Sequence, residues 1–429
     1  MVVNIGLLGF GTVGTGTAEI ILDKVGRNSL LKEIVIKKVG VRSLEKPRQV
    51  KLPSGVLTTD LTAIVNDPEI DIVVELLGGL EPARTLIMQA IERGKHIVTA
   101  NKAVIALYGD EIYTAANQAG VYVMFEASVG GGIPVIKPLK QSLGVNRITN
   151  VMGIINGTTN YILTRMAAEG ANFADVLADA QELGYAEADP TADVDGGDAA
   201  DKISILAAIA FGDRIKRQDL FCEGIRNITA TDISYAAKLG FVIKLLGIAK
   251  RTANQALEVR VHPTLVPQAH PLANINDVYN AILVEGEPLG QVMFFGPGAG
   301  KGATASAVVS DIINVVGVMV SSDKEHKLDP LLSCSPQHYA DLVPMTEIFT
   351  RFYVRFLCKD VSGVIGYLGT CFGNNQVSLE SVVQIGFQEE LAEIVVVTHD
   401  VKEGNFRQAL AQIENLDAVF SIPSILRVL

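Results

Sequence analysis

The feature that most constrains the fold is the segment GFGTVG, residues 9–14, which joins two different apolar patterns. The preceding VNIGLL predicts a short buried strand, and the following VGTGTAEIILDKV predicts a helix. Gly9 suits a tight turn, Gly11 allows the backbone to approach a ligand, and Gly14 allows the helix to pack closely on the strand. Strand, glycine turn and helix in this order begin a parallel α/β sheet.

The same alternation continues to about residue 132. EIVIKKVGVR, DIVVELLG, HIVTA and VYVMFEA predict further strands, and PARTLIMQAIERG predicts a helix between two of them. Residues 1–132 are therefore predicted to form a Rossmann-like, doubly wound parallel sheet that binds NAD or NADP. The glycine loop would hold the cofactor with the residues Gly9, Phe10, Gly11, Thr12, Val13 and Gly14. A glycine-rich turn without a ligand is the alternative.

The pattern changes after residue 132. Residues 133–320 mix strands such as ITNVMGIIN with helices such as ATASAVVSDIINVVGVMV, which predicts an α+β domain. The polar, proline-broken stretch 321–348 is predicted to be a linker. Residues 349–429 follow a βαββαβ order, which is typical of a ferredoxin-like domain.

Charge and composition exclude several classes of protein. A net charge of −11 over 429 residues argues against a nucleic-acid or anionic-membrane partner. The four cysteines are dispersed and form no C-x-x-C pair, so they predict small buried side chains instead of a zinc site. The N-terminus lacks a basic leader, and apolar runs are interrupted by charge or glycine, so a cytoplasmic protein is expected.

The end of the second strand bears on the choice of cofactor. NAD-binding sheets carry an acidic residue there for the ribose hydroxyl, but this strand ends in VGVRSLEKPR. Arg42 could pair with a 2′-phosphate, which favours NADP over NAD. A solvated basic loop is the alternative.

Two lysines are candidates for catalysis. In DVDGGDAADK, Asp198 and Lys202 are four residues apart and share a helix face if the helix begins near Gly197. The helix dipole disfavours an ammonium there, whereas the neighbouring aspartates favour it, so Lys202 is a candidate for proton exchange with a carbonyl oxygen. Lys102 follows the strand HIVT, where ligands gather in such sheets. A structural helix pair and a surface lysine are the alternatives.

Two further motifs have both a functional and a structural interpretation. INGTTNYIL places amide and hydroxyl groups before a helix, where they could receive a carboxylate or simply cap the helix. FEASVGGGIP allows turns whose carbonyl groups converge, or a hinge between domains.

Together these segments resemble the homoserine dehydrogenase family, in the bacterial form with a C-terminal ACT domain. GFGTVG, TANKA, EASVGGGIP and INGTTNYIL match in order over essentially the whole chain. The most specific segment matches at Ala180, Gly184, Tyr185, Ala186, Asp189, Pro190, Asp193, Val194, Gly196, Asp198 and Lys202.

The resemblance implies NAD(P)H-dependent, reversible reduction of L-aspartate 4-semialdehyde to L-homoserine, on the route to threonine, methionine and isoleucine. It also implies that the α+β domain, residues 133–320, serves substrate binding, catalysis and dimerisation. Lys202 would donate and accept the proton, Asp198 would contact the reacting end of the substrate, and Lys102 would lie beside substrate and cofactor. Glu187 would meet the substrate ammonium. The remaining implied contacts are Gly157, Thr158 and Tyr185 for the substrate carboxylate, and Gly184, Glu187 and Gly302 for the cofactor.

The resemblance also implies a monovalent cation, typically Na⁺. Its matching positions are Glu126, Val129, Gly131 and Ile133, mainly through backbone oxygens, although Ser128 and Gly130 replace expected alanines. An ACT domain implies a homodimer or homotetramer and an amino-acid effector. Asp360, Gly363 and Val364 lie in the matching loop, and threonine is the hypothesis for the effector.

Two other functions compete with this one. Aspartate-semialdehyde dehydrogenase needs a cysteine nucleophile, and none of the four cysteines stands in such a setting. A catalytically inactive amino-acid sensor of the same fold is the second alternative, and the intact Asp198, Lys202 and glycine loop argue against it.

Overall fold

The computed structural model describes residues 2–321, 328–334 and 338–429, which divide into two compact units. The first unit comprises Met1–Val151, Asp201–Gln218 and Asn280–Ala340, and the second comprises Met152–Ala200, Asp219–Tyr279 and Asp341–Leu429. The predicted domain boundaries at 132, 320 and 348 differ from these units and stay predictions. Within the predicted linker, residues 322–327 and 335–337 lie outside the described residues.

A six-stranded sheet forms the centre of the first unit. Its neighbours run in the order β3-β2-β1-β4-β5-β6, and every pairing is parallel. The strands are β1 Val3–Leu8, β2 Ile34–Gly40, β3 Leu57–Thr58, β4 Ile72–Glu75, β5 His96–Thr99 and β6 Val123–Met124. The order reverses between β1 and β4, which is the switch point where doubly wound sheets bind ligands. The predicted parallel α/β sheet is confirmed.

Helices cover this sheet. They are α1 Thr12–Leu22, α2 Leu61–Asn66, α3 Ala83–Glu92, α4 Lys102–Ala119, α5 Ile136–Lys140 and α11 Lys301–Ser321. Strands β7 Arg147–Ile154, β11 Tyr279–Glu287 and β12 Gly290–Pro297 are neighbours in the order β12-β11-β7. Among the described residues, α11 is long and apolar enough by length and composition to cross a membrane. Its buried Val308, Ile312 and Val316 instead join the core with Ile5 and Leu7.

The second unit contains the helices α6 Gly157–Glu169, α7 Phe173–Glu182, α8 Thr191–Val194 and α10 Ala230–Lys238. Helix α9 spans Gly197–Phe211, and its residues from Asp201 onward belong to the first unit. The second unit also contains the strands β8 Phe221–Cys222, β9 Phe241–Arg251 and β10 Leu257–Pro267, with β9 antiparallel to β10. The sequence did not predict β9, because most of its residues are buried on both faces and the strand lacks alternation.

The C-terminal part of the second unit has the predicted βαββαβ order. Its elements are β13 Phe349–Lys359, α12 Val364–Asn374, β14 Leu379–Gln388, β15 Leu391–Thr398, β16 Val401–Lys402, α13 Glu403–Ile413 and β17 Val419–Val428. The strands lie in the order β17-β13-β15-β14, with antiparallel pairings. Phe352 stacks on Phe406 at 3.9 Å between ring centroids, within a core that includes Val354, Phe356 and Phe372.

Buried charges join this C-terminal part to α10. Arg355 on β13 contacts Asp232 on α10 and Glu393 on β15, each at 3.0 Å, and all three side chains are buried. Tyr235 on α10 donates a hydrogen bond to Glu393. β17 also pairs in parallel with β10 through Arg427. The two parts therefore share one packed unit, and losing a single partner would leave a buried charge uncompensated.

Candidate active site

The glycine loop lies at the switch point of the parallel sheet. Gly9 has a positive φ of 110°, and a Cβ there would lie 2.8 Å from the carbonyl oxygen of Leu76. A Cβ at Gly14 would lie 2.3 Å from the Gly9 oxygen, whereas a Cβ at Gly11 would meet nothing within 4 Å. The space beside Gly11 is therefore open to a ligand. Helix α1 begins at Thr12 without a side-chain cap, so its first amide groups can face a phosphate.

The loop after β2 is exposed and basic. Arg42 lies two residues beyond the strand with its side chain in solvent. Arg48 donates to the carbonyl oxygens of Ser43, Leu44 and Lys46, so its guanidinium is used to hold the loop together. Arg42 is therefore better placed than Arg48 to meet an anionic group beyond this strand.

The carboxyl ends of β4 and β5 carry polar groups that the sequence analysis missed. Glu75 is fully buried and accepts hydrogen bonds from the Thr99 hydroxyl at 2.6 Å and from the Leu77 amide at 2.8 Å. Burial raises the pKa of this carboxyl group above its ordinary value, and the hydrogen bonds oppose that change. In the sequence, the acidic residue in the apolar run IVVE was the feature that could have pointed to this buried carboxyl group. Asn101 caps α4, which begins with the predicted site residue Lys102.

The start of α11 lies against α1. A Cβ at Gly16 would lie 2.9 Å from the Lys301 carbonyl oxygen, and the Lys301 ammonium contacts Glu19 at 2.6 Å. Gly302 is the second residue of α11, and a Cβ there would meet nothing within 4 Å. Gly302 therefore lies near the helix that follows the glycine loop, and its role on the cofactor side stays a prediction.

The segment proposed to hold a cation offers hard oxygen donors. The carboxylate of Glu126 accepts three amide hydrogen bonds from the start of α5, and its own amide donates to Asp311 at 2.7 Å. Burial raises the pKa of Asp311 to about 7. No described residue donates a hydrogen bond to the carbonyl oxygens of Val129, Gly131 and Ile133. Backbone oxygens with no other partner suit a hard cation, so these residues fit the implied ion. Among the described residues, no cluster of three His, Cys, Asp or Glu side chains could hold a metal ion.

In the second unit, Asn156 organises the start of α6. Its side-chain oxygen accepts from the Thr159 amide at 2.8 Å and so caps the helix. Its amide nitrogen donates to Asp193 at 2.6 Å and to Asp198 at 2.8 Å. From the sequence, Asn156 belongs to a motif that could receive a carboxylate or cap the helix. Its two carboxylate partners lie 37 and 42 residues further along the chain, so no local pattern indicates this bridge.

The segment around residue 185 packs on the same helix. The Thr158 hydroxyl donates to the Tyr185 carbonyl oxygen at 2.8 Å, and the Tyr185 ring meets that of Tyr161 edge-on at 5.0 Å. Gly184 has a positive φ of 75°. Glu187 is exposed. Gly157 is the first residue of α6, so the structure brings together Gly157, Thr158 and Tyr185, the three residues expected to contact the substrate carboxylate.

Helix α9 carries Asp198 and Lys202 four residues apart, beginning at Gly197 as predicted. Asp198 is buried, and Lys202 is partly buried. The other aspartates of this stretch have structural partners: Asp195 pairs with Arg226, and Asp201 with Arg217 at 2.7 Å. Asp189 accepts a hydrogen bond from the Thr191 amide.

The predicted regulatory residues lie between β13 and α12. Asp360 follows the strand and is exposed. Gly363 precedes the helix with a positive φ of 93°, a conformation that favours glycine. Val364 is the buried first residue of α12.

A parallel sheet with a glycine loop at its switch point, and a separate lysine-bearing helix, define a dinucleotide-binding oxidoreductase of the α/β class. Sequence models of one family match most of the chain. The homoserine dehydrogenase NAD-binding domain matches residues 9–126, and homoserine dehydrogenase matches residues 134–313. The chain belongs to the homoserine dehydrogenase family.

Individual relatives support this assignment over the full length. A homoserine dehydrogenase from Synechocystis is 67% identical, with 100% of both chains covered. One from Neisseria gonorrhoeae is 45% identical over 97% of this chain and 96% of its own. A crystal structure of a homoserine dehydrogenase from Thiobacillus denitrificans has a TM-score of 0.94 and 44% identity, covering 100% of this chain and 98% of its own.

A more distant structure concerns the cofactor. A hyperthermophilic archaeal homoserine dehydrogenase in complex with NADPH is 28% identical with a TM-score of 0.62, and the match covers 73% of this chain and 98% of that one. The alternative of a catalytically inactive sensor is not supported by this set of relatives.

Proposed function

We propose that the protein reduces L-aspartate 4-semialdehyde to L-homoserine, reversibly and with NADPH, in the synthesis of threonine, methionine and isoleucine. The observation that carries the proposal is α9, where Lys202 follows Asp198 by one helical turn. Asp198 is held by a hydrogen bond from Asn156 at 2.8 Å. When bound, the reduced nicotinamide supplies the hydride that reaches the aldehyde carbon. Lys202 then gives a proton to the oxygen that becomes the hydroxyl group.

Other residues are proposed to bind and orient the substrate. The start of α6, with Gly157 and Thr158, would receive the substrate carboxylate, because free amide groups at a helix N-terminus favour an anion. Tyr185 would complete that contact, and the hydrogen bond from the Thr158 hydroxyl to its carbonyl oxygen keeps it beside the start of α6. Glu187 would meet the substrate ammonium, and Lys102 would lie beside substrate and cofactor at the start of α4.

The test of catalysis is the fall in NADPH absorbance after addition of the semialdehyde. Lys202→Ala is expected to bind NADPH normally and to lose most turnover, roughly 100-fold or more for a lost proton donor. Lys238→Ala removes an exposed lysine of the second unit and serves as the control. Full activity in Lys202→Ala would refute the assigned role.

A preference for NADP(H) over NAD(H) is proposed from Arg42. An exposed guanidinium just beyond β2, where NAD-binding sheets carry an acid, favours a 2′-phosphate. Arg42→Ala is expected to lower kcat/KM for NADPH about tenfold, the loss of one charge-assisted contact, with NADH unchanged. Equal losses with both cofactors would contradict this preference.

A monovalent cation, with Na⁺ as the candidate, is proposed at the backbone oxygens of Glu126, Val129, Gly131 and Ile133. Gly131 has a φ of 56°, and a Cβ there would lie 2.3 Å from the Gly298 carbonyl oxygen, so Gly131→Ala should distort the segment. NaCl is expected to raise the melting temperature above that in choline chloride at equal ionic strength. The rise should vanish in Gly131→Ala and persist in Gly55→Ala, whose glycine has a positive φ but open surroundings.

The C-terminal βαββαβ part is proposed to be an ACT domain that binds threonine and inhibits the enzyme. It lies beyond residue 313, where the family models end. Asp360, Gly363 and Val364 form the loop that would hold the effector. Threonine should inhibit the intact enzyme, and Asp360→Ala should weaken inhibition without changing the uninhibited rate. The exposed Glu389, in the same part of the chain, provides a control as Glu389→Ala.

The assembly is proposed to be a homodimer or homotetramer located in the cytoplasm. The basis is the family resemblance, together with a net charge of −11, which disfavours a nucleic-acid or anionic-membrane partner. Light scattering after gel filtration measures the mass directly, and a single monomeric species would contradict the proposal.

A further inference from the structure

A cavity of about 370 Å³ lies within the first unit, between α4 and the end of α9. Apolar side chains form much of its wall, including Ile105 from α4 and Ile205 and Ile209 from α9. The rings of Tyr113 and Tyr339 also line it. A volume of roughly 300–1,000 Å³ with apolar and aromatic walls and a few polar groups is typical of sites for small organic molecules.

The polar groups of this cavity are mostly basic. Arg214, Lys216 and Arg217 follow α9 in the chain and line the cavity, against one carboxylate, Asp110. The Lys216 ammonium lies 5.3 Å from the centre of the Tyr339 ring. Arg214 pairs with Asp110 and Arg217 pairs with Asp201, so Lys216 gives the wall of the cavity a net positive charge. This charge favours an anionic occupant.

Arg214 has donor capacity that the protein does not use. One terminal nitrogen of its guanidinium pairs with Asp110, whereas the other, Nη2, is buried and has no hydrogen-bond partner among the described residues. The backbone of Arg214 is held by hydrogen bonds with His338 and Ala340, at 2.9 and 2.8 Å. Burial lowers the pKa of this guanidinium, in keeping with poor compensation of its charge. A buried N–H group without an acceptor is unfavourable, and a ligand oxygen would relieve it.

We propose that this cavity binds a small monocarboxylate with an apolar, ring-sized body. The carboxylate accepts hydrogen bonds from Arg214 and Lys216, and the body packs on the isoleucines and the two tyrosine rings. The wall on α9 begins at Ser204, two residues beyond Lys202, and reaches Ile209, about 10 Å from Lys202 along the helix axis, so the Lys202→Ala control below decides whether the two sites are separate. The inference does not depend on the proposed function.

Calorimetric titration of the full-length protein with benzoate tests the proposal, with benzamide as the neutral compound of the same shape. Benzoate is expected to bind at one saturable site per chain, and benzamide about tenfold more weakly, since a neutral group loses the charge assistance. Lys216→Gln and Arg214→Gln should each weaken benzoate binding by about fivefold or more. The exposed Lys216 can be changed without disturbing the core, so the test stands even if Arg214→Gln fails to fold.

Two controls place the binding in this cavity. Lys51→Gln removes an exposed lysine outside the cavity and should leave benzoate affinity unchanged. Lys202→Ala should also leave it unchanged, which separates this site from the proposed catalytic one. The proposal is overturned if no saturable binding occurs up to millimolar benzoate. It is equally overturned if benzamide binds as well as benzoate, or if Lys216→Gln has no effect.

Discussion

Lys244 provides a test of how a buried charge is tolerated in the second unit. Its side chain is almost wholly buried on β9, and its ammonium donates to Asn160 Oδ1 at 3.1 Å, Asn276 Oδ1 at 3.0 Å and the Ile275 carbonyl oxygen. Burial lowers the pKa of Lys244 from 10.5 to about 8, and the Asp277 carboxylate opposes this change. The residue thus ties α6 to the segment 275–277 at the cost of burying a charge.

The lowered pKa of Lys244 gives its contribution to stability a definite sign. Below about pH 8 the folded and unfolded chains both carry the proton, so the cost of burying the ammonium is present in full. Between about pH 8 and 10.5 the folded chain loses the proton first, and the free energy of unfolding rises with pH. Over this whole pH interval the free energy of unfolding rises by about 3 kcal/mol, and about 2 kcal/mol of that rise is reached by about pH 9.5.

Lys244→Met removes this titration and leaves two buried acceptors, Asn160 Oδ1 and the Ile275 carbonyl oxygen, without their donor. At neutral pH the free energy of unfolding should fall by about 2–4 kcal/mol, because unpaired buried polar groups are costly. By about pH 9.5 the gap between wild type and variant should widen by about 2 kcal/mol. Urea unfolding followed by circular dichroism at both pH values measures the gap.

The matched control is Lys250→Met, which changes an exposed lysine on the same strand. Its difference from wild type should be small and independent of pH. A gap for Lys244→Met that stays constant from neutral pH to about pH 9.5 would refute the reasoning, since the lysine would then have the same pKa in both states.

Three further substitutions test other parts of the structure. Gly14→Ala places a Cβ 2.3 Å from the Gly9 carbonyl oxygen, so NADPH affinity by fluorescence titration should fall about tenfold, and unchanged affinity would contradict the packing role. Asn156→Asp keeps the helix cap but sets a third carboxylate beside Asp198; kcat should fall about tenfold or more with NADPH binding retained. Arg355→Met leaves two buried carboxylates unpaired and should lower the free energy of unfolding by about 3–5 kcal/mol, which denaturation measures.

Much of the local structure was predictable because it depends on neighbouring residues. The glycine spacing indicated a turn between strand and helix, and Gly9 does adopt a positive φ there. The predicted start of α9 at Gly197 is observed. The short helices α2 and α10 escaped prediction, and so did β9, whose buried run could belong to either a strand or a helix.

The candidate site was predictable only in part. Residue types and spacing pointed to Asp198 and Lys202, because both lie on one helix within a single turn. The bridge from Asn156 to Asp193 and Asp198 joins residues about forty positions apart. Glu75 and Thr99 meet because parallel strands bring their carboxyl ends to one edge. Such pairs depend on strand order and register, which no short segment specifies.

The sequence by itself determined the class of this protein: a glycine loop between strand and helix, alternating βα units, a helix carrying Asp198 and Lys202, and a βαββαβ end. These features depend on sequence period and spacing, so they can be recognised without knowledge of the fold. The tertiary structure alone decided which polar groups are buried and what they contact. Lys244, Arg355 and Arg214 look like ordinary basic residues in the sequence, and only packing against distant segments gives each its buried partners or its unused donor.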